Sequence, residues 1–325
     1  MNVKMEKLIV SSSPHIHTDN TVSKVMGDVL IALVPACIAG VLFFGFRSAV
    51  VILTAVAACI IFEWLFQKAT HRETTVSDLS AAVTGVLLGL NLPVSIPLWM
   101  VLVGSAFAII IVKQLYGGLG KNFLNPALAG RCFMLIAWAG AMTAFTPAAF
   151  SGVDAVTSAT PLAIMKNGAE GVMPSLMMAF LGAKGGSIGE TSGLCLLIGF
   201  IYLLVRRVID CRISLTYILS FAILTFLFGN NGNMSKLYYT AMQVLTGGLL
   251  LGAFFMATDY VTTPTTPKGH IIFGLGCGIL TFLIRRFGGY PEGVSFSILL
   301  MNVASPLIET ATMPKVFGTE GGKSK

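Results

Sequence analysis

Nine stretches of this 325-residue chain run for fifteen residues or more without Asp, Glu, Lys or Arg: 29–46, 48–62, 79–112, 132–153, 191–205, 213–235, 237–258, 269–284 and 293–308. No water-soluble core could bury so much apolar chain, with 55% hydrophobic and only 11% charged residues, so lipid must serve as part of the solvent. A helix needs roughly 20 residues to cross a bilayer, and the 34-residue run 79–112 therefore reads as two spans. Asn91, Pro93 and Pro97 mark the break between them. The expectation is an all-α integral membrane protein with ten transmembrane helices.

The segment ahead of the first run is polar and has no basic-then-apolar leader ending in small residues, so the first span is expected to be retained. Lys4, Lys7 and Lys24 precede span one. Lys68 and Arg72 follow span two, Lys113 and Lys121 span four, and Arg206, Arg207 and Arg212 span six. Threading ten spans puts these residues and the tail lysines Lys315, Lys323 and Lys325 on one side, predicted to be the cytoplasm, with both termini there. Arg47, Lys236, Arg285 and Arg286 are exceptions that face out. The net charge of +7 thus reads as topology and contact with anionic lipid, not nucleic-acid binding. Cys37, Cys59, Cys132, Cys195, Cys211 and Cys277 are scattered through apolar runs and read as packing residues. His15, His17, His71 and His270 show no metal-ligand spacing.

The chain echoes itself. Val83, Thr84, Gly85, Val86, Leu87, Leu88 and Gly89 match Leu245, Thr246, Gly247, Gly248, Leu249, Leu250, Leu251 and Gly252. Each is followed by a proline-containing break and a span ending in a Gly-Gly pair, with 20 residues from Pro97 to Gly117 and 21 from Pro267 to Gly288. Two halves of five spans each must be inverted relative to one another, and inverted repeats place polar sites at interrupted helices near the midplane. The candidate interruptions are residues 91–97 and the threonine-rich residues 259–267. Both also read as ordinary helix ends. Asn125 and Arg131 at the start of span five form a third polar feature, with Pro126 suited to a first helical turn. The expected organisation is an N-terminal segment 1–28, a first membrane repeat 29–140, an outward loop 141–190, a second repeat 191–311 and a tail 312–325.

That loop carries the hydroxyl-rich heptad Asp154, Ala155, Val156, Thr157, Ser158, Ala159, Thr160, followed by Pro161. Pro161 biases the residue before it toward extended geometry, which would project the Thr160 hydroxyl. On spacing alone the segment reads as a Ser/Thr cap ahead of residues 161–165. The heptad, however, resembles the acceptor motif of flavin transferases, whose last threonine carries the flavin; Ser158 stands where that motif usually has glycine. Residues 11–15, 28–35, 125–131, 157–162 and 292–306 extend the likeness over nearly the whole chain. They resemble the family of membrane subunits found in the Rnf complex and in the sodium-pumping NADH:quinone oxidoreductase, and the short leader favours the Rnf branch.

The resemblance implies two inverted five-helix repeats, similar to urea transporters, in a bacterial inner membrane. It implies FMN joined by a phosphoester to Thr160 and acting as an electron relay, with Asp154, Thr157, Ser158, Ala159, Asn125 and Arg131 as further cofactor-binding candidates, and a second, noncovalent riboflavin. It also implies partners: a second flavin-carrying subunit, iron–sulfur subunits and a flavin transferase. Electrons would pass between ferredoxin and NAD⁺ and drive Na⁺ or H⁺. This chain has neither cluster cysteines nor a Gly-rich nucleotide fingerprint, so NADH would belong to a partner. The carboxylates near apolar runs, Asp28, Glu63, Asp78, Asp259 and Glu309, are the candidate ion ligands, Asp259 first because it adjoins the threonines. A channel or permease without redox chemistry, and a structural scaffold, are the competing readings.

Overall fold

Backbone placed in hydrocarbon has no water to bond, so its N–H and C=O groups must be satisfied within the chain, and helices do this locally. The computed structural model describes residues 21–148, 160–167, 173–232 and 234–314, and every regular element among these described residues is helical. The first half contains α1 (Val22–Phe44), α2 (Phe46–Ala69), α3 (Ser80–Leu90), α4 (Leu98–Gln114) and α5 (Pro126–Ala137). A short α6 (Pro161–Asn167) follows. The second half contains α7 (Gly193–Val205), α8 (Cys211–Phe228), α9 (Lys236–Leu245), α10 (Leu249–Met256), α11 (Pro267–Phe287) and α12 (Val294–Thr312).

By length and composition α1, α2, α8, α11 and α12 can cross a membrane, and the bent pair α9–α10 makes a sixth span; α3, α4, α5 and α7 are shorter apolar helices. On α1 the exposed Ile31, Val34, Ile38 and Leu42 form one stripe, while Ala32, Ala36, Ala39 and Gly40 are buried. Large apolar groups outside and small residues inside are the reverse of a soluble helix, and they suit a helix whose outer face meets lipid. Small residues also let the helices approach closely. A Cβ on Gly85 would lie 2.5 Å from the Val56 Cα, and one on Gly199 only 2.1 Å from the Ala32 carbonyl oxygen.

The break after α3 stands where the prolines place it, but it is not a surface turn. α3 has 11 residues, about 16 Å at the helical rise, roughly half of a bilayer core. Asn91, Leu92, Pro93 and Val94 beyond it are all buried. Arg47 is not a simple surface exception to the charge rule. Its Nε donates to the Val94 carbonyl (2.9 Å) and its guanidinium to that of Ile96 (3.2 Å), satisfying the broken backbone.

In the second half the interruption falls earlier than expected. α9 and α10 meet at 59° across Thr246, Gly247 and Gly248, before residues 259–267, which form the loop from α10 to α11. Gly247 and Gly248 hold φ of 72° and 68°, a left-handed region that costs a side-chain-bearing residue roughly 1–2 kcal/mol. The matching stretch in α3 has one glycine followed by Val86 and stays helical. The repeated motif therefore bends one half and not the other.

The α2–α3 contact gives a direct test. Replacing Gly85 by leucine should force the two helices apart and destabilise the chain by about 1–3 kcal/mol. Thermal unfolding of the detergent-purified protein reads this as a lowered midpoint, and an unchanged midpoint rejects the packing.

Candidate functional site

Glu63, on the inner face of α2, is fully buried. An isolated carboxylate there would be prohibitive, so it must have partners. α4 supplies them because its last two turns, Phe107–Gln114, widen into π geometry, which re-aims Lys113 and Gln114 inward. Lys113 Nζ lies 2.9 Å from one Glu63 oxygen and 3.0 Å from the other, and Gln114 Nε2 donates to the same carboxylate at 2.7 Å. Lys113 also donates to Ser80 Oγ (2.6 Å), and Ser80 donates to Asp78 Oδ1 (2.5 Å). Glu63, Lys113, Ser80 and Asp78 thus form one unbroken chain of polar contacts.

Lys113 and Ser80 border a cavity at the end of the bundle where α1 begins, the near end. Asp259 enters it from the α10–α11 loop. Its carboxylate accepts from Val261 N (3.2 Å) and Thr262 Oγ1 (3.4 Å), and Thr263 Oγ1 donates to its carbonyl (2.9 Å). Two of the threonines therefore hold the aspartate. Burial raises the Asp259 carboxyl above its ordinary value, opposed by these hydrogen bonds and by the Lys113 charge. The remaining wall is mostly apolar, with Val83, Leu87 and Phe255, and carries Asn122 and Asn125. Asn122 donates to the Leu124 carbonyl (3.0 Å), but its buried Oδ1 has no partner. Asn125 caps α5 through Ala127 N and Leu128 N, with Pro126 in the first turn as expected.

The other sequence candidates lie elsewhere. Asp28 pairs with Arg206 (3.2 Å) and accepts from Tyr202 Oη (2.8 Å), tying α1 to α7 at the rim. Glu309 accepts from Thr265 Oγ1 (2.5 Å) on the far side of the threonine loop. Arg131 is buried as its position suggests, but it reaches toward the opposite, far end, donating to Ser295 Oγ (2.6 Å) and pairing with Glu292. Asp154, Thr157, Ser158 and Ala159 lie outside the described residues. Thr160 is not the projecting hydroxyl expected of it. It is 6% exposed, and its Oγ1 accepts from Ala163 N (3.2 Å), capping α6.

Sequence reasoning missed Lys113 as a site residue because a lysine at the end of an apolar run looks like a topology signal. It missed the far-end cations Lys184 and Arg285 for a related reason. Lys184 donates to the Leu245 carbonyl, and Arg285 to those of Gln243, Thr246 (3.0 Å) and Gly247 (3.0 Å), where α9 breaks. The signal was present: Arg285 is an exception to the charge rule.

Buried ionisable groups, half-length helices and lipid-suited outer faces define a multi-pass, all-helical integral membrane protein. The chain belongs to the NQR2, RnfD, RnfE family, whose model matches residues 9–318. It is 48% identical over 315 residues to the D-type subunit of the Na(+)-translocating ferredoxin:NAD(+) oxidoreductase complex of Acetobacterium woodii, covering 96% of this chain and 95% of that one. It is 45% identical over 330 residues to the D-type subunit of the proton-translocating ferredoxin:NAD(+) oxidoreductase complex of Clostridium ljungdahlii, covering 98% of each. The corresponding D-type subunit of the ion-translocating oxidoreductase complex of Cronobacter sakazakii is 36% identical over 345 residues, 95% of this chain and 98% of its own.

The buried pair supports a double-mutant test. Lys113→Met alone should cost about 3–5 kcal/mol, because it strands a buried carboxylate, and adding Glu63→Gln should recover part of that loss. Denaturant titration of the purified variants measures both, and strict additivity would show that the two groups do not interact.

Proposed function

We propose that this chain is the D-type membrane subunit of an ion-translocating ferredoxin:NAD⁺ oxidoreductase, relaying electrons through FMN on Thr160 and helping to shape an ion path. The observation that carries the reading is full-length similarity to relatives named for that complex, joined to a buried ionisable chain that a passive scaffold does not need. Under it, ten spans in two inverted halves sit in a bacterial inner membrane, both termini and the near end are cytoplasmic, and the loop 141–190 faces out. Other subunits bring a further flavin, the iron–sulfur clusters and the NADH site, and a flavin transferase matures the chain.

Thr160 fits ester formation in one respect. Its cap uses the side-chain oxygen as an acceptor, and an ester oxygen can still accept from Ala163 N. Its burial implies that the transferase acts before α6 packs. The near-end cavity suits the noncovalent riboflavin: apolar walls match a flat ring, and the unpartnered Asn122 Oδ1 matches an imide N–H. When bound, a flavin supplies a relay that exchanges electrons singly or in pairs. The chain's own residues set local charge there. Asp259 beside the cavity and the Glu63–Lys113 pair behind it can favour a cation, and a cation favoured by an added electron must in turn favour its arrival. The Acetobacterium and Clostridium relatives are named for different ions, so ion identity is a matter for measurement. A permease reading draws on the half-length helices and requires no flavin.

In-gel ultraviolet fluorescence of the denatured subunit, co-produced with a flavin transferase, separates these readings. Wild type should fluoresce and Thr160→Ala should not; a dark wild type sinks the covalent relay. Asn122→Leu should lower the flavin released by acid precipitation while leaving in-gel fluorescence intact, and undiminished release would remove that cavity assignment. In the assembled complex, Asp259→Asn should weaken the cation stimulation of ferredoxin:NAD⁺ electron transfer without loss of covalent flavin. Equal stimulation in both proteins would take Asp259 off the ion path.

A further inference from the structure

Counting the bent pair α9–α10 as one span, each half of the protein buries a cation near the end of its fourth span, and only one of the two has a carboxylate partner. Lys113 in α4 meets Glu63. Arg285 in α11 is 7% exposed and meets backbone carbonyls, the Gln243 Oε1 (3.1 Å) and the face of Phe221, 4.9 Å from the ring centroid. Its Nε donates to nothing. α8 stands in the second half where α2 stands in the first, and near its far end it offers Thr225 beside this arginine instead of a glutamate. Thr225 is 4% exposed, and its Oγ1 is likewise without a partner.

Arg285 and Thr225 border one cavity, together with Arg286, Lys166, Asn230 and Tyr239, and among the described residues no Asp or Glu lines it. Lys166 Nζ is held at the rim by the carbonyls of Gly288 and Tyr290 (2.7 Å). Of the carboxylates whose charges act on Arg285, Glu292 is already paired with Arg131 and Glu190 accepts from Ser187 Oγ (2.8 Å). Among the described residues, three cationic side chains and two unused buried polar groups therefore border a cavity that no Asp or Glu lines.

We propose that this far-end cavity is an oxyanion site that takes a phosphate group, filling the role that the Glu63 carboxylate plays in the other half. Guanidinium N–H groups and a hydroxyl suit the several acceptor oxygens of a phosphate better than they suit a halide. Leu162, Met165 and Lys166 of α6, the helix that Thr160 caps, also line the cavity. The phosphate can therefore belong to a group esterified at Thr160, or it can come from solution or an anionic lipid headgroup.

The test uses the full chain in detergent, with inorganic phosphate as the probe and calorimetric binding as the readout. Thr160→Ala, which cannot carry an esterified group, should bind phosphate and prefer it to chloride. Thr225→Val and Arg286→Gln, each placed in that background, should weaken binding about tenfold. These arms need no flavin, so they stand or fall apart from the covalent relay. If flavinylated wild type fails to bind added phosphate while Thr160→Ala does, the tethered phosphate is the occupant. If both bind equally, the site serves free phosphate or lipid, and competition by phosphatidylglycerol but not phosphatidylcholine nanodiscs assigns it to lipid. No binding to Thr160→Ala, binding of chloride as tight as phosphate, or full affinity in both cavity variants overturns the proposal.

Discussion

Backbone carbonyls that a broken helix leaves open inside lipid set the terms for the rest of this structure. Each unsatisfied carbonyl would cost several kcal/mol in hydrocarbon. The chain meets that demand with long cationic side chains brought from neighbouring elements: Arg47 for the loop after α3, and Lys184 and Arg285 for the end of α9. Charges that would be unfavourable in a membrane thus become the partners that make interrupted helices tolerable.

The two ends differ in how charge is balanced. At the near end the lysine of α4 is neutralised from within, and its contacts continue through Ser80 to Asp78. Such a chain is held by strong, mutually dependent contacts, so removal of one member is felt by the others. Asp259 faces the same cavity from the second half, which places ionisable groups of both halves of the chain around one space. Between the ends, Asn125 N donates to the Asn302 side-chain oxygen (3.1 Å) once that amide is oriented so that its nitrogen donates to Ile298, linking α5 to α12.

Much of the architecture was legible in the chain because lipid imposes simple rules. Uncharged runs became helices, Asn91 and Pro97 bracketed a real interruption, and Asn125 with Pro126 capped α5. The second interruption was misplaced because a threonine–glycine motif present in both halves of the chain bends only where two glycines adjoin. The site was less legible. Glu63 and Asp259 stood out as carboxylates near apolar runs, but which basic residue answered them depended on a π turn that no periodicity announces. Thr160 was picked out by its neighbours, and its burial depends on tertiary packing that local sequence does not encode.

That π turn has a mechanical consequence. It is in effect one residue inserted into an otherwise regular helix, and drawing it back into α geometry would turn everything beyond it by about 100° about the axis. Lys113 and Gln114 lie on the portion that would rotate, and such a turn would take both away from Glu63, so the position of that carboxylate and the π geometry depend on one another. A single carboxylate thus fixes how the last turns of α4 face the bundle.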